Sequence, residues 1–260
     1  MIILMHSSKT MRAPASGIRV SGVPVLLDRA EELVGYLRTL SRQQLARVMR
    51  VSADLAAKTQ QQYADWSTEP SRPAPAAAMF VGDIYSGLRV DSFTAADRRY
   101  ATTHLRILSG LYGILRPFDG ICPYRLEMGY ALPSGRYASL YRFWGDEIAG
   151  QLPASGRIVN LAANEYSKAV LPYVDPDRVV TPRFLTVDPA SKKPRFVVVH
   201  AKVARGAFAR WLITARVRGD AAWRDFADIG YRYDDTLSTP AEPTFVCRTF
   251  GGKGLSVRLT

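Results

Sequence analysis

Hydrophobic and polar positions alternate with different periods along the 260 residues. Ile2 to Met5 is a continuous apolar run, which predicts a strand buried on both faces. A polar loop, His6-Ser7-Ser8-Lys9-Thr10, follows it. From 28 to 66 the period becomes helical. Leu33, Tyr36, Leu37 and Leu40 recur at i, i+3, i+4 and i+7. Ser41 with Gln44 three residues on reads as a capping box, and Leu45, Val48 and Met49 continue the apolar face. Ser52 caps a third helix carrying Leu55, Ala56 and Thr59 towards Tyr63 and Trp66.

The Pro/Ala-rich stretch 68–78 is a connector. Residues 79–85 then read as a short strand or turn ending near Gly87. Thr94 with Asp97 resembles a capping box and opens a helix through Tyr100, His104, Ile107 and Leu108. Ser109-Gly110 is expected to close it, because glycine supplies the left-handed C-terminal conformation. Leu111 to Leu115 is expected to form a short second helix, stopped by Arg116-Pro117. Helix, glycine turn, short helix is the outline of a helix-hairpin-helix, which binds a nucleic-acid backbone through turn N–H groups. A plain αα-corner has the same outline.

Further on, Ile158-Val159 predicts a strand, then a polar turn from Asn160 and a helix towards Lys168. Phe196 to His200 is an apolar run expected to be a buried strand. Lys202 to Arg216 has helical character. At 100° per residue Lys202, Arg205 and Arg210 flank Gly206 and Ala209, while Phe208, Trp211 and Leu212 lie broadly opposite. The cationic face is therefore nearly bare, and a phosphate could approach the backbone closely. Gly251-Gly252-Lys253-Gly254 reads as a flexible turn, and Ser256 to Leu259 as an edge strand.

Composition changes the picture in two ways. With 47% hydrophobic residues the chain can bury a substantial core, and no apolar run reaches membrane-spanning length. The N-terminal run is too short for a signal peptide and lacks a basic flank; with Cys122 and Cys247 far apart, a cytoplasmic location is expected, with neither disulfide nor metal site. The net charge of +12 points to a polyanionic partner. From Lys192 to Arg224 nine Lys/Arg face one acid, Asp220, so 9 − 1 = +8 of that charge sits there.

Candidate chemistry follows. Arg125 and Glu127 share a face on an extended segment, so Glu127 can orient the arginine or act as a base if burial raises its pKa. Asn160, Asn164 and Glu165 follow a strand, where α/β sheets place ligands; the same residues also suit helix capping. His6 and His200 each follow an apolar run and could converge at one sheet end. The three histidines form no local metal pair.

Several segments resemble one known family in order: HLRILSGLYGILRP, PYRLEMG, YRFWGDEI, VNLAANEYSKAV and AKVARGAFAR, with ILMHSSKTM at the start and FVGDIYSGL after the connector. They are similar to the YaaA peroxide-stress family across nearly the whole chain. The resemblance implies one α+β domain over 1–260, with a mixed β-sheet core, surrounding helices, a helix-hairpin-helix-like element within 104–128 and a basic cleft. It implies binding of double-stranded or branched DNA, linked to limiting oxidative DNA damage and free iron. The chain departs from the family at His6-Ser7-Ser8, where Ser-Pro-Ala is usual, and at His200-Ala201-Lys202-Val203, where Tyr-Ala-Lys-Lys is usual.

The expected phosphate contacts are Lys9, Thr10, Arg116, Arg125, Asn160, Lys202, Arg205 and Arg210, with Gly110, Tyr112 and Gly113 shaping the hairpin. The alternative is an enzyme acting on a nucleotide or other phosphorylated small molecule, with Glu127, Asn164, Glu165 and Lys202 in catalytic roles. Neither reading requires a cofactor or a membrane.

Overall fold

A computed structural model describes residues 1–13, 17–69, 73–133, 135–254 and 256. Residues 257–259 of the expected edge strand lie outside this set. The chain opens with strand β1 (Ile2–His6) and the short β2 (Thr10–Met11). Helices α1 (Leu27–Arg38), α2 (Arg42–Met49) and α3 (Ala53–Asp65) follow. Next come β3 (Ala74–Pro75), α4 (Ala76–Met79), β4 (Phe80–Val81) and α5 (Asp83–Leu88). Helix α6 (Ala95–His104) runs into β5 (Leu105–Ser109), which turns back as β6 (Gly113–Leu115). Then come β7 (Gly120–Ile121), α7 (Leu140–Trp144), β8 (Ile158–Asn160), α8 (Asn164–Ser167), β9 (Val179–Val180), β10 (Arg183–Val187) and β11 (Pro194–Arg195). The long α9 (Val198–Thr214), β12 (Tyr231–Tyr233) and β13 (Thr244–Cys247) complete the fold.

The main sheet has the order β6-β5-β1-β8-β9. Strand β1 runs parallel to β5 and β8, with His6 beside Leu108 and Leu4 beside Asn160. Central parallel strands are covered on both faces, and all of Ile2 to Met5 is buried, as the apolar run requires. A second sheet has the order β11-β10-β13-β12. Its Phe184, Tyr231 and Phe245 pack with Phe208 of α9 and with Phe226. The hydrophobic core is continuous between the two sheets, giving a single mixed α/β domain.

The expected caps form. Ser41 and Gln44 exchange hydrogen bonds of 2.8 and 3.3 Å, Ser52 accepts from the Leu55 N–H, and Thr94 and Asp97 form a reciprocal pair. Each such cap contributes about 1 kcal/mol, enough to set where a marginal helix begins.

The structure overturns three local expectations. Residues 105–115 form a β-hairpin, not a helix-hairpin-helix. Leu105, Ile107 and Leu108 are buried, and β1 offers them a ladder; the helix therefore ends at His104. Gly113 supplies the positive φ of 65° at the far side of the turn. Secondly, Val198 to His200 belong to the first turn of α9, and Phe196 is 55% exposed. A short apolar run carries no period, and here a long helix extends through it. Thirdly, residues 83–88 are helical rather than extended.

The bare face of α9 is not open to phosphate. It is covered by α5. A Cβ at Gly206 would lie 1.8 Å from the Ile84 carbonyl oxygen, and one at Gly87 would lie 2.0 Å from that of Val203. The two glycines let the helix backbones touch, and α5 divides the cations of α9 between two neighbourhoods.

Buried Asp119 anchors the far end of the hairpin. Its Oδ2 accepts from the Arg116 N–H at 2.8 Å, while Oδ1 has no partner among the described residues. Burial pushes its pKa up to about 6, against the pull of that hydrogen bond and of Arg116 and Arg106. The folded state therefore holds the proton that the unfolded chain releases near pH 4. The resulting stabilisation is present below that pH and is lost as pH rises through about 6. Wild type should lose on the order of 3 kcal/mol relative to Asp119→Asn between pH 4 and pH 7. Urea midpoints of both proteins across that range check this; a constant gap would refute it.

Candidate functional site at the sheet edge

Parallel strands β1, β5 and β8 end on one side of the sheet, the side on which α/β sheets build ligand crevices. Three segments meet there, residues 6–9 at the end of β1, residues 124–130 after the hairpin and residues 160–166 at the end of β8, within reach of the charges of Lys202 and Arg205 on α9. Extended and looped backbone is needed at each strand end, so polar side chains can gather without breaking a ladder.

Lys9 Nζ sits 2.8 Å from Glu127 Oε2, with Lys9 half exposed and Glu127 nearly buried. Arg125 Nη1 donates to the Lys9 carbonyl at 3.1 Å, and Tyr63 donates to the Arg125 carbonyl. The Glu165 carboxylate accepts from the Gly129 N–H at 2.9 Å. Any Cβ at Gly129 would press within 3.0 Å of that carboxylate. Tyr130 is held protonated, its pKa pushed up to about 12 by burial and by the charge of Glu127.

Beneath these charges lies a chain of hydroxyls. Ser109 and Tyr124 share a hydrogen bond of 2.7 Å, and Ser7 donates to the Tyr166 oxygen at 3.4 Å. Ser7 also bonds Tyr124, whose pKa burial raises to about 12. His6 stacks on Tyr166, ring centroids 5.0 Å apart, and its Nδ1 accepts from the Ala163 N–H at 3.2 Å. Burial, followed by the charges of Arg205 and Lys202, holds the His6 pKa down at about 3. His6 is thus a neutral imidazole whose bonded nitrogen is the acceptor. Arg205 is itself largely desolvated, which lowers its pKa. The Nε atoms of Arg205 and Arg125 are buried with no partner among the described residues.

Of the residues expected from sequence, the structure brings Lys9, Arg125, Glu127 and Glu165 together by direct contact or through Gly129. Lys202 and Arg205 lie near enough for their charges to lower the His6 pKa. Thr10 lies next door in β2, its N–H donating to Ser8 Oγ. Asn164 is exposed at the start of α8. Asn160 is buried and works locally: Oδ1 accepts from the Ala162 N–H and Nδ2 reaches Thr181.

The others lie elsewhere. Arg116 stands at the end of β6, beside Arg106 and Asp119. Arg210 pairs with Asp228 beyond α5. Gly110, Tyr112 and Gly113 are core. The Tyr112 hydroxyl accepts from Trp66 at 2.7 Å, the Gly110 carbonyl accepts from Trp144, and the turn N–H groups of Leu111 and Tyr112 donate to Ser109. His200 contacts Thr186 and stacks on Phe250, in different surroundings from His6. The sequence reading gave no role to Ser7, Ser109, Tyr124, Tyr130 or Tyr166. Their sequence signal is that all but Tyr130 fall inside the ordered segments.

This geometry defines a single-domain mixed α/β protein with Lys9, Arg125, Glu127 and Glu165 gathered at a sheet edge above buried hydroxyls. Residues 1–237 match the family model for the peroxide stress protein YaaA, and the chain belongs to that family. It is 60% identical to a UPF0246 protein of Salinispora tropica, over 99% of this chain and 98% of the relative. It is 40% identical to a UPF0246 protein of Burkholderia lata, over 95% and 98%. No helix among the described residues is long and apolar enough to cross a membrane.

Proposed function

We propose that this peroxide-stress family member binds DNA through its phosphate backbone at the sheet edge, using Lys9, Arg125, Lys202 and Arg205. One observation carries the reading. Lys9 and Arg125 meet at the edge, the charges of Lys202 and Arg205 reach His6 beside it, and the Nε atoms of Arg125 and Arg205 are buried without a partner among the described residues. Such contacts position a backbone and read no bases. The surplus of +12 supplies the long-range attraction.

Affinity for random duplex DNA should fall on the order of 100-fold between 50 and 200 mM salt, as neutralising about four phosphates requires. Lys202→Ala and Lys9→Ala should each weaken binding on all sequences alike and flatten the salt slope. Fluorescence anisotropy with two unrelated duplexes measures both. An affinity that ignores salt, or ignores both substitutions, would sink the proposal.

The depth of Arg125 and Arg205 favours a second reading, an enzyme acting on a phosphorylated small molecule at the same edge. Glu127 and Glu165 would then take proton-transfer roles beside the cations, with Lys202 and Asn164 assisting. In that case mononucleotides compete with DNA at this edge, and Glu127→Gln abolishes turnover while leaving binding intact.

A further inference from the structure

On the other side of α5 the structure holds two joined cavities that the sheet edge does not use. One is about 630 Å3 and lies between α5, α9 and the glycine-rich loop 251–254. The second is about 500 Å3 and shares Ser86 and Arg89 with the first. Both fall within the size range of small-ligand sites. We propose that the larger cavity is a binding site for a nucleoside polyphosphate.

Three observations point there. The first is charge. Arg210 also lines this cavity, but its charge is neutralised by Asp228. Arg89 and Lys253 make no ion pair among the described residues, so both are left to face a ligand. Arg89 caps α5 in the left-handed region, with φ 50°, and its N–H returns to Tyr85. That places its side chain between the two cavities.

The second is the loop. Gly251 is tied back by its N–H to the Ile229 carbonyl at 3.1 Å. The next three N–H groups, of Gly252, Lys253 and Gly254, donate to nothing among the described residues. Lys253 and Gly254 line the cavity, so their two N–H groups are open to an anion there. A Cβ at Gly252 would displace the Phe250 ring, whose tip lies 2.5 Å away. The loop lies past residue 237, where the family match ends.

The third is the opposite wall, which is apolar: the half-buried Ile229, with the almost fully buried Val203 and Ala207 of α9 beside Gly87. One end of the cavity is cationic and the other is not, so the ligand should be amphipathic in the same sense. Phosphates would meet Lys253, Arg89 and the loop N–H groups. A base would lie on the apolar wall. This site does not depend on the DNA reading and shares no residue with it.

The experiment is calorimetric titration of the full chain with pyrophosphate, ADP and ATP at constant ionic strength. ATP and ADP should bind more tightly than pyrophosphate, because they alone reach the apolar wall. Lys253→Ala and Arg89→Gln, both at exposed positions, should each weaken ATP at least about tenfold, as the loss of a charge-assisted hydrogen bond implies. Lys9→Ala should change nothing. No heat with any probe at millimolar concentration overturns the proposal. So does ATP binding that survives Lys253→Ala, or that is lost in Lys9→Ala. Equal affinity for pyrophosphate and ATP refutes the nucleoside part. Failure here leaves DNA anisotropy unchanged, and failure there leaves these titrations unchanged.

Discussion

Gly206→Ala should cost about 3 kcal/mol or more of folding stability. The reason is that its neighbours are backbone. In α9 the space above Gly206 is filled by the Ile84 carbonyl oxygen, 1.8 Å from where a Cβ would sit, and by the Leu88 nitrogen at 2.7 Å. Gly87 of α5 meets the Val203 oxygen and the Ala207 nitrogen in the same way. A flexible side chain could swing aside, but two packed helices cannot. They must separate, and overpacking of this kind costs 1–3 kcal/mol even where neighbours can adjust. For a chain of this size 3 kcal/mol lowers the melting temperature by roughly 6–12 °C. Gly35 is the control. It sits in α1 with nothing within 4 Å of its would-be Cβ, so Gly35→Ala should be neutral or stabilising by up to ~1 kcal/mol. Urea denaturation of both variants decides the matter. If Gly206→Ala stays within 0.5 kcal/mol of wild type, roughly the scatter of inert surface changes, the close contact is wrong.

His6 should make the fold acid-sensitive in a way that a neutral replacement removes. In the native state burial, Arg205 and Lys202 hold its pKa at about 3, while the unfolded chain takes up the proton near its ordinary value of 6.5. The stabilisation is complete above pH 6.5 and drains away as pH falls towards 3. By pH 4 the loss should reach ~3 kcal/mol. His6→Asn keeps an acceptor for the Ala163 N–H and does not titrate. The stability gap between wild type and His6→Asn should therefore widen against wild type as pH falls from 7 to 4. Urea midpoints at pH 7, 5.5 and 4 measure it. A gap that stays constant would mean His6 is already protonated in the fold, or is solvated. The slope opposes that of Asp119, so each group must be read against its own variant.

Much of the fold is legible in the sequence where one local signal has one physical reading. The three helical blocks with Ser41, Ser52 and Thr94 at their starts are of this kind, because a cap and a 3.6-residue period agree. So are β1 and β8, whose apolar runs lead into polar loops. The hairpin at 105–115 is not. Its apolar residues fit a helix or a buried strand equally, and only the presence of β1 alongside selects the strand.

The same division holds at the site. Chain chemistry and the family resemblance together single out Lys9, Arg125, Glu127, Glu165, Lys202 and Arg205 as candidates, on the same footing as Arg116 and Arg210, which the fold places elsewhere. They also mark the +8 stretch and the ordered family segments. They do not tell which cations share a neighbourhood. Arg205 and Arg210 are five residues apart on one helix, and the helical wheel puts them on the flanks of one bare face. That face is where α5 docks: Gly206 is bare so that a backbone can reach it, not a phosphate. Helical periodicity determines which residues share a face, but only tertiary packing decides what covers that face. Here α5 covers it, leaving Arg205 at the sheet edge beside His6 and Arg210 beyond α5 beside Asp228.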